Sequence, residues 1–273
     1  MARSAEPLRW LGDLPDPAAV LDAGSVALAA INVLVPGFDA LIAPDVALSA
    51  VGLPIPIVNS VSATRFTPDD ADRRIDEVIA WFDERGLPFI WRLGPLETPA
   101  DLDQRLLARG FTMDPADMPG MAAPLAGLPA IEPPDESTIT FVEDAASFRE
   151  WLDVMVIGFE MPPQIGDTFW KYAELGFGDE LPVTILARID GRPVATALGS
   201  VAGGGIVIAN VTTVPDVRGR GLGRTVTLAA MHAGARAGAT IAVLQSTEMG
   251  LGVYRSLGFE EFARYRVAVR TLG

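Results

Sequence analysis

"VPDVRGRGLGRT", residues 214–225, sets Gly219, Gly221 and Gly223 among Arg218, Arg220 and Arg224, immediately ahead of an alanine-rich stretch. Glycine lacks a Cβ, so its backbone adopts left-handed conformations and lets neighbouring N–H groups converge on one point. A helix start adds the positive end of its dipole, and arginine neutralises phosphate. The stretch therefore predicts an anion cradle opening a helix. The rival reading, a glycine-rich turn with solvated arginines, is opposed by Pro215, Arg218 and the immediate helix start. Two better-known phosphate signatures fail on spacing. A dinucleotide fold wants G-x-G-x-x-G after the first strand of a parallel unit, whereas position 224 is arginine and the preceding runs form a meander; a Walker loop needs G-K-[ST], and the stretch holds no lysine.

Working outward from the loop, "PVTILARID", "VATALGSV" and "IVIANVTTV" are β-rich runs bounded by glycine turns, which predicts three antiparallel strands before it. A helix of about 15 residues ended by Gly238 follows, then the strand "TIAVLQS", the helix "EMGLGVYRSL" stopped at Gly258, and a last strand "FARYRVAVR". Upstream, "SFREWLDVMVIGF" spaces Phe148, Trp151, Leu152, Met155, Val156 and Phe159 as one helical stripe, and "DTFWKYAEL" reads as a second short helix. The predicted order from residue 136 is α-α-β-β-β-α-β-α-β.

The segment 123–137, with four prolines and little periodicity, reads as a linker, so a boundary is expected near residue 135. The front half has a related pattern. "TPDDADRRIDEVIAWFDERG" starts with a capping threonine and a proline and places Ile75, Val78, Ile79 and Phe82 on one face. "PFIWRL" follows as a strand, "PADLDQRLLARG" as a helix and "FTMDPADMPGMAAPL" as a final strand. "IVNSV" answers "IANVT", matching Asn59 to Asn210 at an offset of 151, and "RLLARGF" answers "VYRSLGF", matching Gly110 to Gly258 at an offset of 148. Two landmarks in the same order predict a duplicated domain.

Composition narrows the function classes. A net charge of −14, from 21 Lys+Arg against 35 Asp+Glu, leaves no material for a basic face, which argues against a nucleic-acid or anionic-membrane partner. The chain has no cysteine, which excludes disulfides, thiolate metal sites and a cysteine acyl-enzyme; its one histidine, His232, makes a metal centre unexpected. The N-terminus has no secretory pattern and "VALAAINVLV" is too short to span a bilayer, so a soluble cytoplasmic protein is expected.

"VTTVPDVRGRGLGRTVTLAAM" resembles the acetyl-CoA-binding motif of the GNAT acyltransferase superfamily, whose pattern R/Q-x-x-G-x-G/A is matched by Arg218, Gly221 and Gly223. A hydrophobic strand ends before Pro215, and "VYRSLGF" follows about 30 residues after the glycines, as in that family. The resemblance covers about residues 137–270 well and the front half faintly. It implies an α/β (α+β) fold of two tandem GNAT-like domains, each a mixed, mostly antiparallel twisted sheet flanked by helices. Residues 1–130 would be a degenerate copy without a CoA site and 136–273 the catalytic copy. Where a working copy carries its glycine nest, the front half reads "TPDDADR", with Asp69, Asp70 and Asp72 against any diphosphate.

The resemblance also implies a site. Backbone groups of Val211, Thr212 and Thr213 would pair with the pantetheine arm of acetyl-CoA or another short acyl-CoA. The amides of Gly219, Arg220, Gly221, Leu222, Gly223 and Arg224, with Arg218, would cradle the pyrophosphate, and Thr247 would touch CoA. The strands at 207–214 and 240–246 would splay to seat the thioester. Tyr254, four residues before Gly258, would donate a proton to the departing thiolate; the bland alternative is a half-buried tyrosine on an amphipathic helix. Ala209 and Asn210 stand where relatives often place a carboxylate base, which leaves Glu248 and Glu160 as candidates. Each also reads as an ordinary charge, Glu248 in a first helical turn and Glu160 in a solvated loop. Trp151, Phe159, Phe169, Trp170 and Tyr172 fall on helices that cover the acceptor in this family, Trp91 and Arg92 could contribute from the front half, and His232 reads as a packing residue.

The expectation is thus an acyl-CoA-dependent N-acetyltransferase acting by direct transfer on a small-molecule amine, without a metal, nucleic acid or membrane partner, as a monomer or homodimer. Alternatives are a non-catalytic CoA-binding module, O-acyl transfer or thioester decarboxylation on the same fold, and a nucleotide-binding protein of another class.

Overall fold

A computed structural model describes residues 8–134, 136–177 and 182–272, and the boundary expected near Asp135 falls on a residue outside them. The described chain forms two compact units whose membership is not sequential: residues 25–120 with 263–272, and residues 8–24 with 121–262.

The first unit is a mixed sheet carrying two helices on its own core. Its strands are β1 (Asp39–Ala43), β2 (Val46–Ala50), β3 (Ser60–Ser62), β4 (Phe89–Leu93) and β5 (Thr112–Met113), and its helices are α2 (Ala71–Asp83) and α3 (Leu102–Leu107). The latter half of α1 (Pro17–Asn32) belongs here too. Strands β1, β2 and β3 form an antiparallel meander, β3 pairs in parallel with β4, and beyond β4 comes the last strand of the chain. Burial of the α2 stripe drives this packing, since each large apolar side chain removed from water contributes about 1.5–3 kcal/mol. Ile75, Val78 and Phe82 go into the core against Val61, Phe89, Trp91 and Leu106. Phe82 stacks on Phe89 at 4.0 Å between centroids. The helix α1 and the hairpin β1–β2 went unread in the sequence, where their apolar residues lack a clean period.

The second unit contains β7 (Ser137–Phe141), α4 (Ala145–Gly158), α5 (Pro163–Phe169), β8 (Val183–Ile189), β9 (Arg192–Ala202), β10 (Gly205–Thr213), α6 (Leu222–Arg236), β11 (Ile241–Gln245) and α7 (Leu251–Arg255). Its sheet runs β7-β8-β9-β10-β11 and ends on β6 (Met118–Pro124), a strand from the front half of the sequence. From β7 to β10 the pairings are antiparallel, and β10 pairs with β11 in parallel. Helix α6 has 15 residues, as its alanine-rich sequence predicts. Helix α4 starts on a capping box in which Asp144 accepts from the Ser147 amide at 2.7 Å.

Three expectations need correction. An extra strand, β7, precedes α4; "STITF" alternates β-branched residues directly after the proline-rich segment and is not among the expected elements. "DTFWKYAEL" is not one helix: α5 starts earlier, at Pro163, and a 3-10 turn occupies Trp170–Leu175. "FTMDPADMPGMAAPL" is two strands, β5 and β6, because Asp114 turns the chain by accepting from the Ala116 amide. The last strand, β12 (Glu260–Arg270), shows the complementary excursion, since its residues 266–270 pair antiparallel with β4 in the first unit.

Candidate active site

The site begins with a fault in a strand. In β10, two residues, Asn210 and Val211, stand opposite the single residue Ala197 of β9, and Asn210 takes a left-handed φ of 51°. Such a bulge orphans backbone groups and bends the strand. Here two side chains supply donors. Thr196 Oγ1 donates to the Asn210 carbonyl at 2.8 Å, and Trp151 Nε1 donates to the Ala197 carbonyl at 3.1 Å. Trp151, expected over the acceptor, is therefore a buried prop of the bulge. Pairing of β10 with β11 ends at Val207 opposite Val243, while β10 runs on to Thr213. The two strands part where the sequence reading places a slot.

The glycine loop follows. A 3-10 turn at Pro215–Val217 leads to Gly219 at φ 79° and Gly221 at φ 84°, the N-cap of α6. No L side chain holds these angles cheaply. The amides of Gly219 through Arg224 have no acceptor among the described residues, and Arg220 and Arg224 have no ion-pair partner among them. Free amides at a helix start beside two unpaired guanidinium groups form an anion-binding concavity. Arg218 differs. Its Nε donates to the Thr213 carbonyl at 3.0 Å and one Nη to the Gly158 carbonyl at 2.8 Å.

Helix α7, which follows β11, carries Tyr254. Its ring is buried against Phe259, 5.8 Å between centroids, and against Gly250, where a Cβ would lie 2.8 Å from the ring. Burial disfavours the phenolate, pushing the pKa up to about 12. The hydroxyl has no hydrogen-bond partner among the described residues and stays protonated at neutral pH, as a proton donor requires. Thr247 lies in the turn before this helix, its hydroxyl accepting from the Gly250 amide at 3.3 Å. Glu248 and Glu160 are both exposed, and Glu160 lies 3.9 Å from Arg218. Phe159 is also exposed, Phe169 meets Tyr172 edge-on at 5.8 Å, and Trp170 stacks at 6.1 Å on the buried Phe148. His232 contacts the Pro129 carbonyl at 2.8 Å, a packing role. Among the described residues, no group of three or more His, Cys, Asp or Glu could hold a metal ion.

The first unit has a partly parallel layout. Ala63 has φ 53°, as Asn210 has φ 51°, and precedes a helix in the same way. Eight positions separate Ala63 from the start of α2, whereas twelve separate Asn210 from the start of α6, so the nest is missing. The strand edge is closed by the chain itself: the Thr98 amide donates to the Thr64 carbonyl and the Phe66 amide to the Thr98 carbonyl. Asp70 pairs with Arg73, while Asp72 pairs with Arg105 and Arg109. Phe111 donates to Leu106 around Gly110 as Phe259 donates to Tyr254 around Gly258, so Leu106 stands in the place of Tyr254. The match of Asn59 to Asn210 does not survive: Asn59 is fully buried, and its side chain binds backbone groups of Val51, Leu53 and Pro88. Trp91 is core, donating to Thr64 Oγ1 at 2.9 Å, and Arg92 has its pKa lowered by desolvation.

The second unit thus combines a parted sheet, a glycine loop at a helix start and a buried phenol. Residues 146–259 match the model of the acetyltransferase (GNAT) family, whose chemistry is acyl transfer from acyl-CoA. Solved structures extend the likeness of fold to more than nine tenths of the chain. A GCN5-related N-acetyltransferase from Kribbella flavida is 21% identical, with a TM-score of 0.69, over 91% of this chain and 96% of that one. One from Sphaerobacter thermophilus is 18% identical, with a TM-score of 0.60, over 94% of each. A tandem GNAT protein from the clavulanic acid biosynthesis pathway is 14% identical, with a TM-score of 0.59, over 93% of this chain and 94% of that one. At these identities the likeness is one of fold. No curated protein matches the sequence.

Proposed function

We propose that the second unit transfers an acetyl or other short acyl group from acyl-CoA directly to the primary amine of a small molecule, one acyl-CoA being bound per chain. The observation that carries this reading is the run of acceptor-less amides from Gly219 to Arg224, lying just beyond the freed edge of β10. In this reading the backbone of Val211, Thr212 and Thr213 pairs with the amides of the pantetheine arm. The loop amides hold the diphosphate, with Arg220 and Arg224 adding charge, and Thr247 fixes the start of α7 beside it. The Tyr254 hydroxyl gives its proton to the thiolate sulfur as the amine nitrogen takes the acyl carbon. The amine must first lose a proton, for which Glu248 and Glu160 are the candidates on this unit. The first unit, with its closed strand edge and Leu106 in the place of Tyr254, binds no acyl-CoA. The same reading makes the protein a cytoplasmic enzyme, monomeric or homodimeric, with no nucleic-acid, membrane or metal partner.

A second reading, a CoA-binding module without turnover, is favoured by one feature: β10 carries Ala209 and Asn210 where a carboxylate would serve as base. Calorimetric titration with acetyl-CoA, followed by thiol release against a panel of amines and alcohols, separates the two. One site per chain and amine-dependent thiol release are expected. Tight binding without any acceptor-dependent release selects the module, and no binding at millimolar acetyl-CoA discards both. Gly221→Asp, which puts a carboxylate into the nest, should abolish binding.

A further inference from the structure

Arg218 opens the loop, and its position in the motif assigns its charge to the diphosphate. Its nitrogens are engaged elsewhere. Besides the bonds to the Thr213 and Gly158 carbonyls, its second Nη faces the Glu160 carboxylate at 3.9 Å. Gly158 is the last residue of α4, and that helix ends in a left-handed cap: Glu160, at φ 55°, donates its amide to the Ile157 carbonyl, and Met161 donates to the Val156 carbonyl. Those two bonds satisfy Val156 and Ile157 and leave the Gly158 carbonyl to Arg218. The guanidinium also sits at the negative end of the helix dipole. Gly158 lies so close to β10 that a Cβ there would fall 2.4 Å from Thr212 Oγ1. One side chain thus joins the end of β10, the mouth of the glycine loop and the terminal turn of α4. Arg220 and Arg224 remain without ion-pair partners among the described residues, available to an anion.

We propose that Arg218 is a positioning residue and not a phosphate ligand. It ties the glycine loop to the left-handed turn at Phe159–Met161, so that seating acyl-CoA also orders that turn. This rests on the acyl-CoA reading above. A charge on a phosphate and a fork on two carbonyls respond differently to substitution. Arg218→Gln keeps N–H donors but loses the charge, whereas Arg218→Lys keeps the charge but loses the planar fork. With acetyl-CoA as probe, Arg218→Gln should bind within about threefold of wild type with an unchanged salt dependence, while Arg224→Gln should weaken binding about tenfold and flatten it. In hydrogen exchange, acetyl-CoA should protect residues 159–161 and 219–224 of the wild type. In Arg218→Ala it should protect only 219–224. The proposal is overturned if Arg218→Gln loses tenfold or more with a flattened salt dependence while Arg218→Lys binds normally, or if wild-type protein gains no protection at 159–161. A wild type that binds no acetyl-CoA removes the acyl-CoA reading and this proposal together; any of the other adverse results removes this proposal alone.

Discussion

Thr196 Oγ1 and the carbonyl of Asn210 are 2.8 Å apart, and this bond supplies a donor to a carbonyl that the bulge turns out of the β9–β10 ladder. Thr196 is fully buried. Thr196→Val keeps the shape and deletes the donor, leaving an acceptor unsatisfied at a cost of about 1–3 kcal/mol. Urea unfolding should show that loss, and Thr196→Ser should recover most of it. Acetyl-CoA affinity should fall with the valine variant as well, because the bulge sets where β10 leaves β11. Equal stability for the serine and valine variants would deny the bond any role.

The close approach of Gly158 to Thr212 gives a second test. A Cβ at 158 would lie 2.4 Å from Oγ1, 2.6 Å from Cγ2 and 3.0 Å from Cβ of Thr212. Gly158→Ala should therefore destabilise by about 1–3 kcal/mol, the range for overpacking. Thr212→Ala removes the two nearer atoms, so the same glycine substitution should cost less in that background. A double-mutant cycle measures the difference, and strict additivity would place the strain elsewhere.

Much of this site was legible in the sequence because its signals are local. Glycines at 219 and 221 announce left-handed backbone ahead of a helix, and Gly110 and Gly258 close equivalent helices with the same pair of bonds. What escaped depends on distant partners. Trp151 falls on an apolar helical stripe like any core residue; only the tertiary fold brings its Nε1 to Ala197. The motif assigns Arg218 to the diphosphate, and nothing in the sequence near 218 points to the carbonyl of Gly158, sixty positions away, to which its side chain donates. Nor does any local pattern tell that "RYRVAV" completes the sheet of the other unit, since a strand's partner is not written in its own period.

Tyr254 predicts a pH signature. Burial raises its pKa from near 10 to about 12 in the folded protein, whereas unfolded chain ionises near 10. The native state then holds its proton more tightly. The stabilisation is complete below pH 10 and is lost as pH climbs from 10 to 12, on the order of 2–3 kcal/mol. Tyr172, also raised by burial, titrates in both proteins when wild type is compared with Tyr254→Phe. The wild type should therefore lose more stability than Tyr254→Phe across that window; parallel curves would show that the phenol is not desolvated. The same variant should bind acetyl-CoA normally but turn over at least tenfold more slowly, in keeping with the usual contribution of general acid catalysis, about a hundredfold or more.

The last strand carries a prediction about folding. Arg266 through Arg270 pair with Leu93 through Phe89, and Ala268, opposite Trp91, lies in the core of the first unit with no exposure to solvent. A chain cut at 130 lacks this strand, so β4, which holds Phe89 and Trp91, would keep β3 as its sheet neighbour and lose the other. Residues 1–130 expressed alone should fail to give a cooperative unfolding transition, even though they contain α2, α3 and the whole apolar stripe. Ala268→Asp in the full chain isolates the cause, because it buries a carboxylate in that core with no change elsewhere and should cost several kcal/mol. Its effect should appear first at Trp91, as a red-shifted tryptophan emission at low urea, and acetyl-CoA should still protect the amides at 219–224 of the other unit. A fragment 1–130 that unfolds cooperatively, or an Ala268→Asp chain as stable as wild type, would show that the first unit does not need its borrowed strand.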